Sequence, residues 1–338
     1  VAFRRTHALA VAALAGLTLV AAGSALAHAP PAGLHVELPA AAAVDALPPA
    51  TPGEEHSYDW PLRPFDRPHP LRGGFGDPRF GRVQRNFHFG VDIPAPDWTP
   101  VYAVAAGTVY LEPDHVDVLT HVAVRHSSGF SYWHILPAVH EHAFVRRHAL
   151  LGVVSPTWHH LHFGEFRGGS WLNPLRPGAL TPSAAPTRPQ IQELSVAPAD
   201  DGTGSDRVDV IVDAFAAPRA PPPPPWQDAR VVPALIRWRL LAGTTPISGW
   251  REVVDFRNFI PPNRLFGDVY APGTASNAPN RAGHYLFYLA RDWDPDTLPP
   301  GTYVVQVQVV GSRGAVATAG AELSVAGTPT AVHAAVPG

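Results

Sequence analysis

Alternation with a period of two runs through the second half of this chain. Val208, Val210 and Val212 alternate with Asp209, Ile211 and Asp213. Ile236, Trp238 and Leu240 alternate with Arg237 and Arg239, and Tyr303, Val305, Val307 and Val309 alternate with Gln306 and Gln308. Successive side chains on a strand face opposite ways, so these segments predict half-buried strands of antiparallel sheets. With residues 192–196, 250–254, 284–290 and 319–325 they make about seven strands, the number of an immunoglobulin-like sandwich.

Upstream the apolar runs are shorter and turn residues denser. Residues 71–78 are turn-rich. Residues 87–93, the two pieces of 99–110 around Gly107, and 121–126, 130–136, 150–154 and 160–165 read as short strands, and 171–175 closes the unit. No segment there has a convincing helical period. The expected fold class is therefore all-β: a β-sheet domain at 58–178, then an immunoglobulin-like β-sandwich at 191–327. Residues 179–190 are expected to be a linker by composition, and 328–338 a tail. The run Pro221 to Pro225 must be a loop, best read as a stiff polyproline II connector.

The first residues read as an address. Arg4 and Arg5 precede the apolar run 8–22, and Ala25-Leu26-Ala27 fits a small-x-small cleavage site. Residues 1–27 are thus expected to be a secretory signal peptide, with the mature chain starting at His28. The run is short for a membrane span, which needs about 20 residues. No other run is long enough, so no stable span is expected after signal removal, and the expected location is secreted, extracellular or cell-wall associated. Residues 28–57, rich in Ala and Pro with weak periodicity, read as a loosely packed leader.

Composition narrows the chemistry. A formal net charge of −3 over 338 residues argues against nucleic acid as a partner, which would need a basic face. The chain has no Cys. That excludes disulfides, thiolate zinc sites and Cys nucleophiles, so any metal must be held by His and carboxylates. Most of the 18 His residues, including His115, His121, His126, His140, His142 and His148, lie in polar surroundings that suit a surface or structural role. The informative ones fall in three motifs: His88-x-x-x-Asp92, Tyr132-x-His134 and His160-x-His162.

His160 and His162 stand two apart and share one face of a predicted strand. Packing alone would favour Val or Ile there. Hydrolytic zinc sites use three protein ligands from His and carboxylate and leave a position for water. His88, Asp92 and one His of the pair could supply that set. The other imidazoles could then handle protons or a developing oxyanion. His159 is one residue off and should face the other way. Glu165 could be the base of a different zinc hydrolase, but the helical His-Glu-x-x-His pattern is absent.

Taken in order, Phe87-His88-Phe89-Gly90-Val91-Asp92-Ile93, Thr99-Pro100-Val101-Tyr102-Ala103-Val104 with Gly107-Thr108-Val109, Tyr132-Trp133-His134-Ile135 and His160-Leu161-His162-Phe163 resemble the lysostaphin/LytM-type zinc metallopeptidases. The resemblance covers roughly residues 70–178. It implies a duplicated hybrid motif fold and a secreted metalloendopeptidase that cuts peptide bonds of bacterial peptidoglycan by a zinc-activated water. By position it implies Zn²⁺ ligands His88, Asp92 and His162, His160 as the base for the attacking water, and His134 as the second catalytic imidazole. The chain departs from the family where Gly152 is followed by a short loop, and where Gly164 takes a position usually held by Glu, with Glu165 one later.

A different class of function is a non-catalytic wall-binding or regulatory module on the same fold. Members used that way typically lose ligands, whereas here all five motif residues are present. A purely structural zinc site would be closed by a fourth ligand, commonly Cys, which this chain lacks. The motifs carry no signal of oligomeric state.

Overall fold

The computed structural model describes Val36, Leu38 and residues 57–81, 85–113, 118–125, 127–199 and 207–326. The expected signal peptide, the tail, and all of the leader except Val36, Leu38 and Ser57 lie outside the described residues. Among the described residues no helix is long and apolar enough to cross a membrane.

Among the described residues the fold is all-β apart from one α-helical turn and two 3-10 turns. The first unit runs β1 (Pro78–Phe80), β2 (Arg85–Phe87), β3 (Val91–Pro94), β4 (Pro100–Tyr102), β5 (Gly107–Pro113), β6 (Val118–Arg125), β7 (Ser128–Trp133), β8 (Ile135–Pro137), β9 (Phe144–Val145), β10 (Leu150–Val154), β11 (His160–Arg167) and β12 (Ser170–Leu172). The second runs β13 (Gln190–Pro198), β14 (Val208–Phe215), β15 (Leu235–Ala242), β16 (Thr245–Pro246), β17 (Arg251–Asp255), β18 (Leu286–Trp293), β19 (Gly301–Val310) and β20 (Val316–Val325), with the helical turn α1 (Phe266–Val269) before β18.

In the first unit a seven-stranded antiparallel sheet has the order β12-β11-β7-β6-β5-β9, and β3 adds to β11. β11 is the axis of this sheet. Its first half pairs with β3 and its second half with β12, while β7 lies along the other side. Alternation on β11 then sorts its residues. Leu161 and Phe163 point into an apolar core with Val91, Ile93, Val122 and Tyr132, all fully buried. His160, His162, Gly164 and Phe166 take the opposite face.

Glu165 lies on the core side of β11. It is buried, accepts a hydrogen bond from Tyr58 Oη (2.7 Å) and is forked by Arg176 (2.6 and 2.9 Å). A buried carboxylate satisfied this way is a structural pair, not a free base. Residues 179–190, read from composition as a linker, start as a packed strap: Ala179, Leu180, Ala184 and Ala185 are buried, and Pro182 O accepts from the Trp60 indole at 2.8 Å.

The second unit packs a three-stranded sheet (β13-β14-β18) and a five-stranded one (β16-β15-β19-β20, with β17 on β15) around one core. The expected alternation is visible on β19. Tyr303, Val305, Val307 and Val309 are fully buried, while Gln306 and Gln308 face outward and accept from Arg239 (2.7 Å) and Arg237 (2.9 Å) on β15. Fully burying each such apolar side chain stabilises the fold by about 1.5–3 kcal/mol. From the leader, Val36 N donates to Ile247 O (2.8 Å), and Leu38 O accepts from Arg251 (2.8 Å).

The two units share material. Phe75 and Phe87, from the first unit, belong to the core of the second, where Phe87 meets Phe256, Phe266 and Tyr270 at ring separations of 5.6, 5.4 and 5.7 Å. Polar contacts stitch the same seam: Tyr270 Oη donates to Gly76 O (2.7 Å), and buried Asp77 accepts from Gly74 N (2.8 Å) and Val232 N (3.0 Å). The turn-rich segment 72–78 is therefore clamped between the units, next to β3.

Candidate metal centre

The register of β3 against β11 sets Asp92 directly opposite His162. Opposed residues in an antiparallel pair share a face. His88 arrives from the turn between β2 and β3, pinned by backbone bonds from His88 N to Asp77 O (2.8 Å) and from Gly76 N to His88 O (2.7 Å). The three side chains, all buried, meet through single atoms. His88 Nε2 lies 2.8 Å from His162 Nδ1 and 3.0 Å from Asp92 Oδ1, and His162 Nδ1 lies 3.2 Å from the same oxygen. His160 Nε2 is 3.6 Å from Asp92 Oδ1. Both imidazoles of the His-x-His pair thus converge on one carboxylate oxygen.

The surroundings fix which atoms can bind. His88 Nδ1 lies 2.7 Å from Gly74 O, so this nitrogen carries the proton and Nε2 keeps its lone pair. His160 Nδ1 lies 2.7 Å from Trp158 O, which leaves Nε2 as its acceptor end by the same logic. Asp92 Oδ2 is held by Arg79 at 2.7 Å, leaving Oδ1 to face the imidazoles. Two glycines make this possible. A Cβ on Gly73 would sit 2.7 Å from Asp92 Oδ2 and 2.8 Å from Arg79, and one on Gly90 would meet Phe163 O at 2.4 Å and His162 Nε2 at 2.8 Å.

Burial pushes the Asp92 carboxyl up, but the neighbouring imidazoles and Arg79 outweigh it and hold it well below the usual carboxylate range. Since buried imidazoles are neutral near pH 7, Arg79 is the charge that keeps Asp92 ionised. Burial lowers His160 and His162 to about 3 and moves His88 in the same direction. Arg72 beside His160 adds to that lowering.

The donor set fits a metal ion: His88, Asp92 and His162 each offer one atom within a shared sphere. Zinc–nitrogen and zinc–oxygen bonds of about 2.0–2.1 Å put tetrahedral donors about 3.3 Å apart, close to the spacings found here. Two neutral imidazoles and an ionised carboxylate, with His88 oriented by a backbone carbonyl, are the ligand chemistry zinc takes.

His134 follows β7 directly with φ of 66°, in the left-handed region that non-glycine residues visit sparingly. Its carbonyl accepts from Ser155 N (2.9 Å). Its ring stacks on Trp158 at 4.4 Å and lies 4.6 Å from the His160 ring and 6.2 Å from that of His162. All five motif residues therefore meet in one place. Trp158 is half-buried beside His134 and lines the site. His159 turns away, exposed, and pairs with Asp97 at 2.6 Å.

On the same sheet face a row of residues leads away from the centre: Trp133 beside His162, then Ser131, then His121, by the pairing of β11, β7 and β6. Trp133 Nε1, Ser131 Oγ and His121 Nε2 are buried with no hydrogen-bond partner among the described residues. Trp171 lies over Gly164, whose missing side chain leaves the indole room. A cavity of about 710 Å³ opens further along this face, lined by Tyr110, Glu112, His121, Phe166 and Trp171 among others.

Sequence reading missed Arg72 and the Gly74 carbonyl, both in the segment 71–78 taken as turn-rich, and Arg79 directly after it. A signal was present: two Arg residues flank three glycines at 72–79, an expensive place for charge unless it has a partner.

Residues 86–174 match the family model of Peptidase family M23. The motif resemblance and the family match fall on the same segment. No curated protein matches the chain. Among solved structures it is similar to Csd3 of Helicobacter pylori, at 22% identity over 36% of this chain and 34% of that one with a TM-score of 0.30. It is also similar to a zinc containing peptidase from Vibrio cholerae, at 21% identity over 35% of this chain and 39% of that one with a TM-score of 0.30. A third likeness is to the catalytic domain of the prophage-encoded M23 protein EnpA from Enterococcus faecalis, at 22% identity over 34% of this chain and 98% of that one, TM-score 0.28. This chain thus spans well under half the length of the first two.

Proposed function

We propose that this chain is a secreted zinc metalloendopeptidase that hydrolyses peptide bonds of bacterial cell-wall peptidoglycan. The observation that carries the reading is the meeting of three single donor atoms from His88, Asp92 and His162 at 2.8–3.2 Å, with the acceptor nitrogen of His160 at 3.6 Å from the same carboxylate oxygen. His88, Asp92 and His162 would hold Zn²⁺, which would supply the Lewis acidity to polarise a carbonyl and lower the pKa of water. His160 Nε2, its proton excluded by the Nδ1 bond to Trp158 O, accepts a proton from the attacking water. His134, its ring 4.6 Å from that of His160 and stacked on Trp158, donates to the developing oxyanion or to the leaving amine. Trp133 beside His162, Trp158 beside His134 and Trp171 over Gly164 give the site aromatic neighbours against which an extended peptide can pack. The second unit, proposed as an immunoglobulin-like module at 191–327, carries no comparable cluster of imidazoles among the described residues.

The test is clearance of purified wall suspensions, with and without a chelator, and mass spectrometry of the released muropeptides. His162→Ala should lose zinc and all activity. If this variant cleared walls as fast as the parent, the reading would fall. A second reading, a wall-binding module that does not hydrolyse, is favoured by one contact: Arg72 Nη2 lies 3.1 Å from the His160 acceptor nitrogen. Wall binding with no muropeptide release from the zinc-loaded protein would select it.

A further inference from the structure

The proposed mechanism leaves one cation in the cleft without a task. Arg72 runs beside β3, its backbone N donating to Asp92 O at 3.0 Å. Its side chain is half-buried and reaches His160 Nε2 at 3.1 Å. One face of the guanidinium lies on the indole of Trp226, with Cζ 4.3 Å from the ring centroid. Among the described residues Arg72 forms no ion pair. The carboxylate whose charge it feels, Asp92, is already bonded to Arg79 at 2.7 Å.

Trp226 belongs to the second unit and is delivered by the proline run. Its N–H donates to Pro223 O (2.9 Å), its carbonyl accepts from Ala229 N (2.9 Å), and Pro225 O accepts from Asn280 N (2.7 Å). The same unit holds the Arg72 backbone: Asn277 Nδ2 donates to Arg72 O (3.1 Å) and to Arg230 O (2.6 Å), while its Oδ1 accepts from Arg230 N (2.9 Å) and Gly283 N (2.7 Å). A stiff loop and a fully bonded amide thus position one guanidinium at the edge of the site.

An imidazole nitrogen offers that guanidinium one lone pair and no charge. A planar fork with its face covered by an aromatic ring is matched by a carboxylate, through two parallel N–H···O bonds. We propose that Arg72 is a specificity-determining residue that takes a carboxylate of the substrate peptide next to the scissile bond, held for that contact by Trp226. This rests on the peptidase reading of the same cleft. A carboxylate that engages Arg72 also withdraws its donor from His160 Nε2, the lone pair that must accept the proton of water. The anionic substrate therefore frees the base as it binds. A carboxamide in the same place is neutral and offers one acceptor oxygen in place of two, so it makes a weaker single bond and competes less well with His160 for the guanidinium.

The test uses the zinc-loaded full chain and two synthetic tetrapeptides, Ala–γ-Glu–Lys–Ala with the glutamyl α-carboxyl free or amidated. In calorimetric titration the parent should bind the acid form about tenfold or more tightly than the amide, the size of one charge-assisted contact. Arg72→Gln should bind both forms alike with unchanged zinc content. Arg72→Lys should keep part of the preference, and Trp226→Ala should reduce it. Should Arg72→Gln fail to melt cooperatively, the other two variants decide. Full preference kept in Arg72→Gln, or in both Arg72→Lys and Trp226→Ala, overturns the proposal, as does a parent that does not distinguish the two peptides. Titration needs no turnover. A preserved preference without wall hydrolysis would sink the peptidase reading alone, and hydrolysis without the preference would sink the carboxylate subsite alone.

Discussion

The histidine-bearing face of β11 and the core of the second unit bury side chains by opposite rules. In the sandwich, Trp238, Tyr285, Phe287, Tyr303, Val305 and Val307 fill the space between two sheets with no ionisable group among them except phenols. On the β11 face, His88, Asp92, His160 and His162 are equally shielded, at 2–7% exposure. Each of these costs free energy in desolvation that an apolar residue would not. A strand that accepts this cost at alternate positions is organised around a ligand, and one that does not is organised around packing. The units are nevertheless not separable into a machine and a passenger, because the packed unit lends Phe256, Tyr270, Asn277 and Trp226 to the walls of the polar one.

Four experiments would break or sharpen that contrast. The largest effect is expected from His160→Ala. Loss of a general base costs about 10²–10⁴-fold in rate, so muropeptide release should vanish while zinc content, read by atomic emission, stays near one per chain. A fall in zinc with no fall in rate would make His160 a ligand instead. Next comes Trp238→Ala in the sandwich core, which should cost about 3–5 kcal/mol by denaturant titration. A much smaller cost would mean that this core is loosely packed and the contrast overstated.

Phe87→Ala probes the seam. Its ring belongs to the second core while its neighbour His88 belongs to the metal centre, so it should cost about 3 kcal/mol and also weaken zinc binding. Unfolding of the second unit unaffected by this change would show the two to be energetically independent. The fourth experiment varies pH. His160 and His162 are lowered from 6.5 to about 3 by burial. Between those values the unfolded chain holds more protons than the folded one, so folding stability rises with pH there. The metal-free protein should have this contribution in full above about pH 6.5 and lose it as pH falls toward about 3. His160→Gln should flatten the profile, and an unchanged profile would mean that the imidazoles are hydrated.

Much of this was legible in the residues. Alternation exposed the strands of the second unit, since a half-buried sheet cannot hide its period. The alternation of His160 and His162 with Leu161 and Phe163 is what a strand with one polar and one apolar face must look like. His159 could be set aside for the same reason. Less legible was the segment 72–79, whose glycines spelled turns. Arg79 and the Gly74 carbonyl tune the site through contacts with Asp92 and His88 that span 13 and 14 positions of chain. The proline run, read as a connector, ends in a residue that lies against Arg72 across more than a hundred positions of chain.

Local chemistry along the chain determined the all-β character, the face that the paired imidazoles share and the residue types able to hold a metal, because each depends on neighbours within a strand. The tertiary structure decided the rest. Which nitrogen of His88 keeps its lone pair depends on the Gly74 carbonyl that another segment brings. The charge state of Asp92 depends on Arg79 meeting it over Gly73. That Arg72 stands between the base and an indole of the second unit depends on how two separately patterned sheets close against each other. Strand periodicity encodes faces, but the groups that two faces bring together are set by packing, which no single stretch of residues contains.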